Sequence, residues 1–191
     1  LKLETVYYGG GTPTVLEAPQ LERILKAVSD NFDLSAVSEY TVEAGRPDTV
    51  TADKLSALKN GGVTRISINP QTFNDGVLEK IGRKHTSQQT LDSFFLARKL
   101  GFDFINMDLI AGLPGDTAES FLHTLSVIDE LSPENITVHT LSIKRSSFMG
   151  KGFAERESAF LAAGMLEDAQ KKFWGRYFPY YMYRQSKTLG N

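Results

Sequence analysis

The sequence predicts an α/β fold of about five parallel strands with flanking helices. Three observations carry this. Five short apolar segments read as strands, and each is followed by a stretch of helical periodicity. The strands begin at residues 5, 40, 65, 104 and 136, separations of 25 to 39 residues that suit a βα unit. Such alternation implies a parallel sheet with right-handed crossovers, either open or curved into a barrel, whose strand C-termini share the ligand-binding edge. Five units are too few to close an eight-stranded barrel.

The first strand, Thr5 to Tyr8, runs into Gly9-Gly10-Gly11-Thr12-Pro13-Thr14. Three glycines admit positive φ and leave backbone amides bare, a surface for a carboxylate, a phosphate or an amino acid backbone. A tight strand-to-helix turn with no ligand is the plainer alternative. The first helix opens at Pro19, a residue suited to a first turn, and sets Leu21, Ile24, Leu25, Val28 and Phe32 along one stripe expected to be buried. After the second strand, Tyr40 to Ala44, Thr51 is the expected N-cap of a helix carrying Leu55 and Leu58 and stopped by Gly61-Gly62. The third strand is Arg65 to Asn69. Asn74 is placed to cap a short turn through Ile81, and Thr86 with Gln89 forms a capping-box pattern ahead of Leu91, Phe94 and Phe95. The fourth strand, Phe104 to Ile110, precedes a helix for which Asp116 and Glu119 have the same spacing, with Phe121, Leu122, Leu125, Ile128 and Leu131 before Pro133. The fifth strand is Ile136 to Ile143, and a last helix runs from about Glu155 to Phe173.

Composition narrows the function classes. The chain has 191 residues, 41 % hydrophobic and 23 % charged, with a net charge of -2 and no long basic block, so a nucleic-acid partner is not expected. No apolar run approaches the roughly 18 residues of a membrane span, and Leu1-Lys2-Leu3-Glu4 lacks the features of a signal peptide. A cytoplasmic protein without membrane association is expected, and the absence of an initiator Met suggests a piece of a longer chain. There is no cysteine, which excludes disulfides, thiolate nucleophiles and sulfur-ligated metals built from this chain alone. His85, His123 and His139 have no second ligand at metal spacing and read as structural or solvated.

Each strand ends in polar residues. Glu43 stands in Thr41-Val42-Glu43-Ala44-Gly45-Arg46-Pro47, facing away from Val42 and Ala44. Asn69-Pro70-Gln71-Thr72-Phe73 is followed by Arg83, and Asp108 lies in Asn106-Met107-Asp108-Leu109-Ile110-Ala111-Gly112-Leu113-Pro114-Gly115. Carboxylates in apolar strands need hydrogen-bond donors. Two sources stay open: a structural bridge from Glu43 to Arg65 or Arg83 with Asp108 on loop amides, or a common ligand at successive strand ends.

The strings Gly9-Gly10-Gly11-Thr12-Pro13-Thr14, Thr41-Val42-Glu43-Ala44, Arg65-Ile66-Ser67-Ile68-Asn69-Pro70-Gln71-Thr72-Phe73, Gly82-Arg83 and Asp108-Leu109-Ile110-Ala111-Gly112-Leu113-Pro114-Gly115 together resemble the radical S-adenosylmethionine (SAM) enzymes, and within them the HemN-like oxygen-independent coproporphyrinogen III oxidases, or coproporphyrinogen dehydrogenases. The likeness spans roughly residues 1 to 145. It implies a partial (β/α) TIM-type barrel of the radical SAM kind over 1–145, with 146–191 forming the last helix and the start of a C-terminal region. It also implies that Gly10, Gly11 and Thr12 bind the amino group of the methionine moiety of S-adenosylmethionine. Residues matching Glu43 and Arg83 take the amino and carboxylate ends, Gln71 and Asp108 hold ribose hydroxyls, and Leu141 and Ser142 approach adenine through backbone groups. The Asn69-Pro70-Gln71-Thr72 string, His139-Thr140-Leu141-Ser142-Ile143-Lys144-Arg145 and Pro179-Tyr180-Tyr181-Met182-Tyr183-Arg184-Gln185 look like the HemZ-type branch. Lys144 and Arg145 either belong to a surface loop or meet tetrapyrrole propionates.

The family's cluster-binding Cys motif has no counterpart here, so the chain alone is expected to be inactive, to bind neither the 4Fe-4S cluster nor the cofactor appreciably, and to start after the cluster loop. The first strand would then have an uncovered edge, to pair with another copy or to carry little order. For the full-length protein the resemblance implies a 5′-deoxyadenosyl radical that takes hydrogen from propionate β-carbons. Oxidative decarboxylation would convert coproporphyrinogen III to protoporphyrinogen IX in heme biosynthesis, with an electron donor protein reducing the cluster. Two alternatives remain: a heme chaperone of the same family, and a phosphate-binding barrel enzyme using the glycine turn. Phe173, Trp174, Tyr177, Phe178, Tyr180, Tyr181 and Tyr183 are expected to pack against the barrel or a further domain rather than to stack on a tetrapyrrole.

Overall fold

The computed structural model describes residues 2–141 and 154–180, with the backbone alone for 154–158. In chain order its elements are β1 (Thr5–Tyr8), α1 (Ala18–Asn31), β2 (Glu39–Glu43), α2 (Ala52–Asn60), β3 (Arg65–Ser67), α3 (Asp75–Lys80), α4 (Ser87–Lys99), β4 (Phe104–Ala111), α5 (Ala118–Leu131), β5 (Asn135–Thr140) and α6 (Ala154–Phe173). The sheet has the order β1-β2-β3-β4-β5, with β1 at an edge. The pairs β1–β2, β2–β3 and β3–β4 are parallel, in register at Tyr7 with Thr41, Glu43 with Ser67, and Ser67 with Asn106. Sequential order with helical crossovers is the parallel α/β architecture that the sequence predicts. No helix among the described residues is long and apolar enough to cross a membrane.

The described residues form two compact units. One comprises those within Leu1–Pro70, His85–Met107 and Pro133–Asn135, the other those within Gln71–Lys84, Asp108–Ser132 and Ile136–Asn191.

In the first unit Leu21, Leu25, Val42, Leu55, Leu58, Ile66, Phe102 and Ile105 are buried. Each such side chain contributes about 1.5–3 kcal/mol by leaving water, before the entropy of ordering it is counted. The α1 stripe holds at Leu21 and Leu25, but Phe32 is exposed because it is the C-cap, with extended backbone, and has left the helical face. The entry to β4 is knotted. Arg98 donates from Nη1 to the carbonyls of Phe102 and Asp103 at 3.0 Å and from Nη2 to Glu134 at 2.7 Å, while the other oxygen of Glu134 accepts from the Ile105 amide at 2.9 Å.

In the second unit Phe121, Leu125 and Ile128 of α5 are buried, as are Ala162, Met165 and Ala169 of α6. Thr124 accepts from the Phe73 amide at 3.0 Å, and Asn74 donates to Ser120 at 2.8 Å, so α5 carries the loop that enters α3.

The caps at Thr51, Asn74 and Thr86 stand where the sequence places them, the last as a full capping box with Gln89. The start of α5 differs. Its N-cap is Thr117, whose hydroxyl accepts from the Ser120 amide at 3.1 Å, and Asp116 lies one residue outside with its carboxylate on the Thr117 amide at 2.9 Å. A threonine already in extended backbone reaches the amide three residues on and takes that task from the neighbouring aspartate.

Candidate functional site

The first unit presents the glycine loop. Gly10 and Gly11 have φ of +82° and +57°, and a Cβ on either would meet nothing within 4 Å, so this backbone lies open. Its far end is anchored: Pro13 and Thr14 are buried, the hydroxyls of Thr14 and Thr49 lie 2.7 Å apart, and Lys54 Nζ donates to the Thr14 carbonyl at 3.0 Å. The carbonyl of Thr12 accepts from the Val15 amide at 3.0 Å, closing a 3-10 turn.

Glu43 stands beside the loop. Its Oε2 accepts from the Gly10 amide at 3.3 Å and its Oε1 accepts from the Tyr7 hydroxyl. The bridge to Arg65, one of the alternatives the sequence leaves open for Glu43, is not formed, and Arg65 pairs with Glu39 at 2.8 Å. Burial raises the Glu39 carboxyl, but hydrogen bonds from Thr41 and Arg65 and the charge of Arg65 outweigh it and leave the group below its usual range. Gly9 has no room for a side chain, since a Cβ there would fall 2.6 Å from the Tyr7 ring and 2.8 Å from Glu43 Cδ. Tyr7 is the residue that sequence reasoning missed. Its signal is register: Tyr7 lies opposite Thr41, two residues ahead of Glu43 on the same face.

The second unit presents Gln71, Arg83, Asp108 and Leu141. Gln71 is 5 % exposed and adopts φ +66°, a left-handed conformation that costs a non-glycine residue about 1 kcal/mol. Both of its backbone groups are tied to β4, the amide to the Asp108 carbonyl and the carbonyl to the Ile110 amide, each at 3.0 Å. Its side-chain amide forms no hydrogen bond among the described residues, so a strained, buried residue keeps its polar group unspent. Asp108 Oδ2 lies 3.9 Å from His139 Nε2. The Arg83 amide donates to the Leu78 carbonyl at 2.9 Å, fixing the residue just past α3. The Leu141 amide is committed to the Ala111 carbonyl at 3.1 Å. Ser142, Lys144 and Arg145 lie outside the described residues, as do Tyr181 and Tyr183. Of the aromatic stretch, Phe173 is buried with its ring edge-on to Tyr177, and Trp174, Phe178 and Tyr180 are exposed.

His85 is buried against the Pro70 carbonyl at 3.3 Å and His123 is exposed. Among the described residues no group of His, Asp and Glu is arranged to hold a metal ion.

Comparison with known proteins identifies the chain's relatives. Residues 1–128 match the Radical SAM superfamily. The chain is 44 % identical over 200 aligned positions to the oxygen-independent coproporphyrinogen-III oxidase-like protein HemZ of Bacillus subtilis, covering 100 % of this chain and 39 % of that protein. It is 42 % identical over 143 positions to the heme chaperone HemW of Lactococcus lactis, covering 75 % of this chain and 38 % of the relative. Among solved structures it is similar to coproporphyrinogen III oxidase (HemN) of Escherichia coli, a radical SAM enzyme, with a TM-score of 0.76 and 28 % identity over 90 % of this chain and 40 % of that one. The chain thus spans about two fifths of the length of these relatives.

Proposed function

The chain belongs to the radical SAM superfamily, and on that premise we propose that it forms the S-adenosylmethionine-holding part of an oxygen-independent coproporphyrinogen III oxidase. The observation that carries this reading is the Glu43 carboxylate on the Gly10 amide. A carboxylate at the mouth of a glycine loop repels phosphate and attracts an ammonium group, so the loop suits an amino acid better than a phosphoester.

Taken unit by unit, the residue types suit S-adenosylmethionine on this reading. Glu43 and the open backbone of Gly10, Gly11 and Thr12 receive the ammonium, and Arg83 pairs with the carboxylate of the methionine moiety. Gln71 offers its unspent amide and Asp108 its carboxylate to the ribose hydroxyls, which both donate and accept. The Leu141 amide is already donated, so its contact with adenine falls to the carbonyl, with Ser142 beside it in sequence. When bound and reduced, this cofactor supplies a 5′-deoxyadenosyl radical able to take a hydrogen atom from a propionate β-carbon. A primary radical reacts with whatever C–H bond is near, so these side chains serve catalysis by placement. The chain has no cysteine, and its own residues do not fit a 4Fe-4S cluster.

On this reading the substrate is a tetrapyrrole whose propionates meet Lys144 and Arg145, and an electron donor protein serves the full-length enzyme. The test uses the full-length protein carrying this chain, loaded with its cluster and given coproporphyrinogen III, S-adenosylmethionine and a reductant. Protoporphyrinogen IX and 5′-deoxyadenosine are expected by liquid chromatography. Stoichiometric heme binding with no decarboxylated product would replace the oxidase with a heme chaperone, the reading that the likeness to HemW supports.

A further inference from the structure

We propose that Tyr7 is a positioning residue for the cofactor's ammonium group, acting through Glu43. The inference deepens the reading above and rests on Glu43 as the ammonium's acceptor. A glutamate has three side-chain torsions, and a free one at a strand end spends little time in any single arrangement. Here both oxygens are assigned. Oε2 lies on the Gly10 amide at 3.3 Å and Oε1 accepts a hydrogen bond from the Tyr7 hydroxyl. Each oxygen retains a lone pair, so the carboxylate can still accept from an ammonium, but with its plane already set.

Gly9 shows how closely the pair is seated. The Tyr7 ring and Glu43 Cδ both crowd the volume in which a Cβ on Gly9 would lie, at 2.6 and 2.8 Å. The two side chains thus cross over a glycine backbone, and the phenol does not rest on Glu43 from a distance. Packing among the described residues does not explain the tyrosine, because it is 65 % exposed there. Its hydroxyl on the Glu43 carboxylate is accounted for by the carboxylate's task.

The test is a double-mutant cycle on the cluster-loaded full-length protein, with S-adenosylmethionine affinity read by equilibrium dialysis and thermal midpoint read alongside. Tyr7→Phe keeps the ring over Gly9 and removes only the hydroxyl. It is expected to weaken affinity about threefold to tenfold with no change in thermal midpoint. Glu43→Gln is expected to weaken it further, and the double variant to match Glu43→Gln alone, since Tyr7 has nothing left to orient. If Glu43→Gln weakens binding while Tyr7→Phe does not, or if the two effects add, the role of Tyr7 is overturned and the reading of Glu43 stands. If Glu43→Gln leaves affinity unchanged, both fall.

Discussion

Lys54 Nζ donates to the Thr14 carbonyl at 3.0 Å, so a buried ammonium on α2 holds the far end of the glycine loop. Glu17 lies 3.6 Å from the same nitrogen and offsets its charge. Replacing Lys54 with Met keeps the length of the side chain and removes the donor. The Thr14 carbonyl then loses its partner at a cost of about 1–3 kcal/mol, measured as a lower urea midpoint with unchanged slope. A midpoint equal to that of the parent would show that the loop does not depend on this bond.

Gly9→Ala should separate binding from stability. The added methyl must displace Tyr7 and Glu43, whose side chains can swing toward solvent, so the cost to folding is expected to stay near 1 kcal/mol. The carboxylate loses its place beside Gly10, and cofactor affinity in the full-length protein should fall about tenfold or more. Retained affinity would mean that Glu43 is not required where it now stands.

Gln71→Asn tests whether strain is kept for function. Asparagine tolerates left-handed φ better than glutamine, so the variant should be as stable as the parent or about 0.5 kcal/mol more so. Its shorter amide no longer reaches the same point, and S-adenosylmethionine affinity should drop. A variant that is both less stable and unimpaired in binding would assign Gln71 to the core.

Asp116 makes stability depend on pH. The residue is 6 % exposed, and its Oδ2 is buried with no hydrogen-bond partner among the described residues. Burial raises its carboxyl above the ordinary aspartate value and outweighs the lowering influence of nearby Ser120 and of the Thr117 amide hydrogen bond. The native chain therefore holds this proton more tightly than the unfolded chain. The resulting stability is fully present below about pH 3.8 and is lost as pH rises through the native value. Asp116→Asn should gain about 1 kcal/mol at pH 7, a gain that shrinks as pH falls toward 4, by chemical denaturation across that range. An equal gain at every pH would exclude the carboxylate as its origin.

What was legible in the sequence is local or periodic. The caps at Thr51, Asn74 and Thr86 satisfy amides two or three residues away, and the strand–helix alternation repeats often enough to be read without tertiary knowledge. Asp116 and Thr117 defeated local reading because two good capping residues stood side by side. The twist at Gln71 is imposed by two bonds to β4, and nothing in Asn69-Pro70-Gln71-Thr72 announces it. Tyr7 and Glu43 lie 36 residues apart and meet only through strand register.

The knot at Arg98 and Glu134 grips β4 where the strand begins, through main-chain groups of Phe102, Asp103 and Ile105. Anchorage of that kind leaves the opposite tip of the strand to be retooled without unseating it.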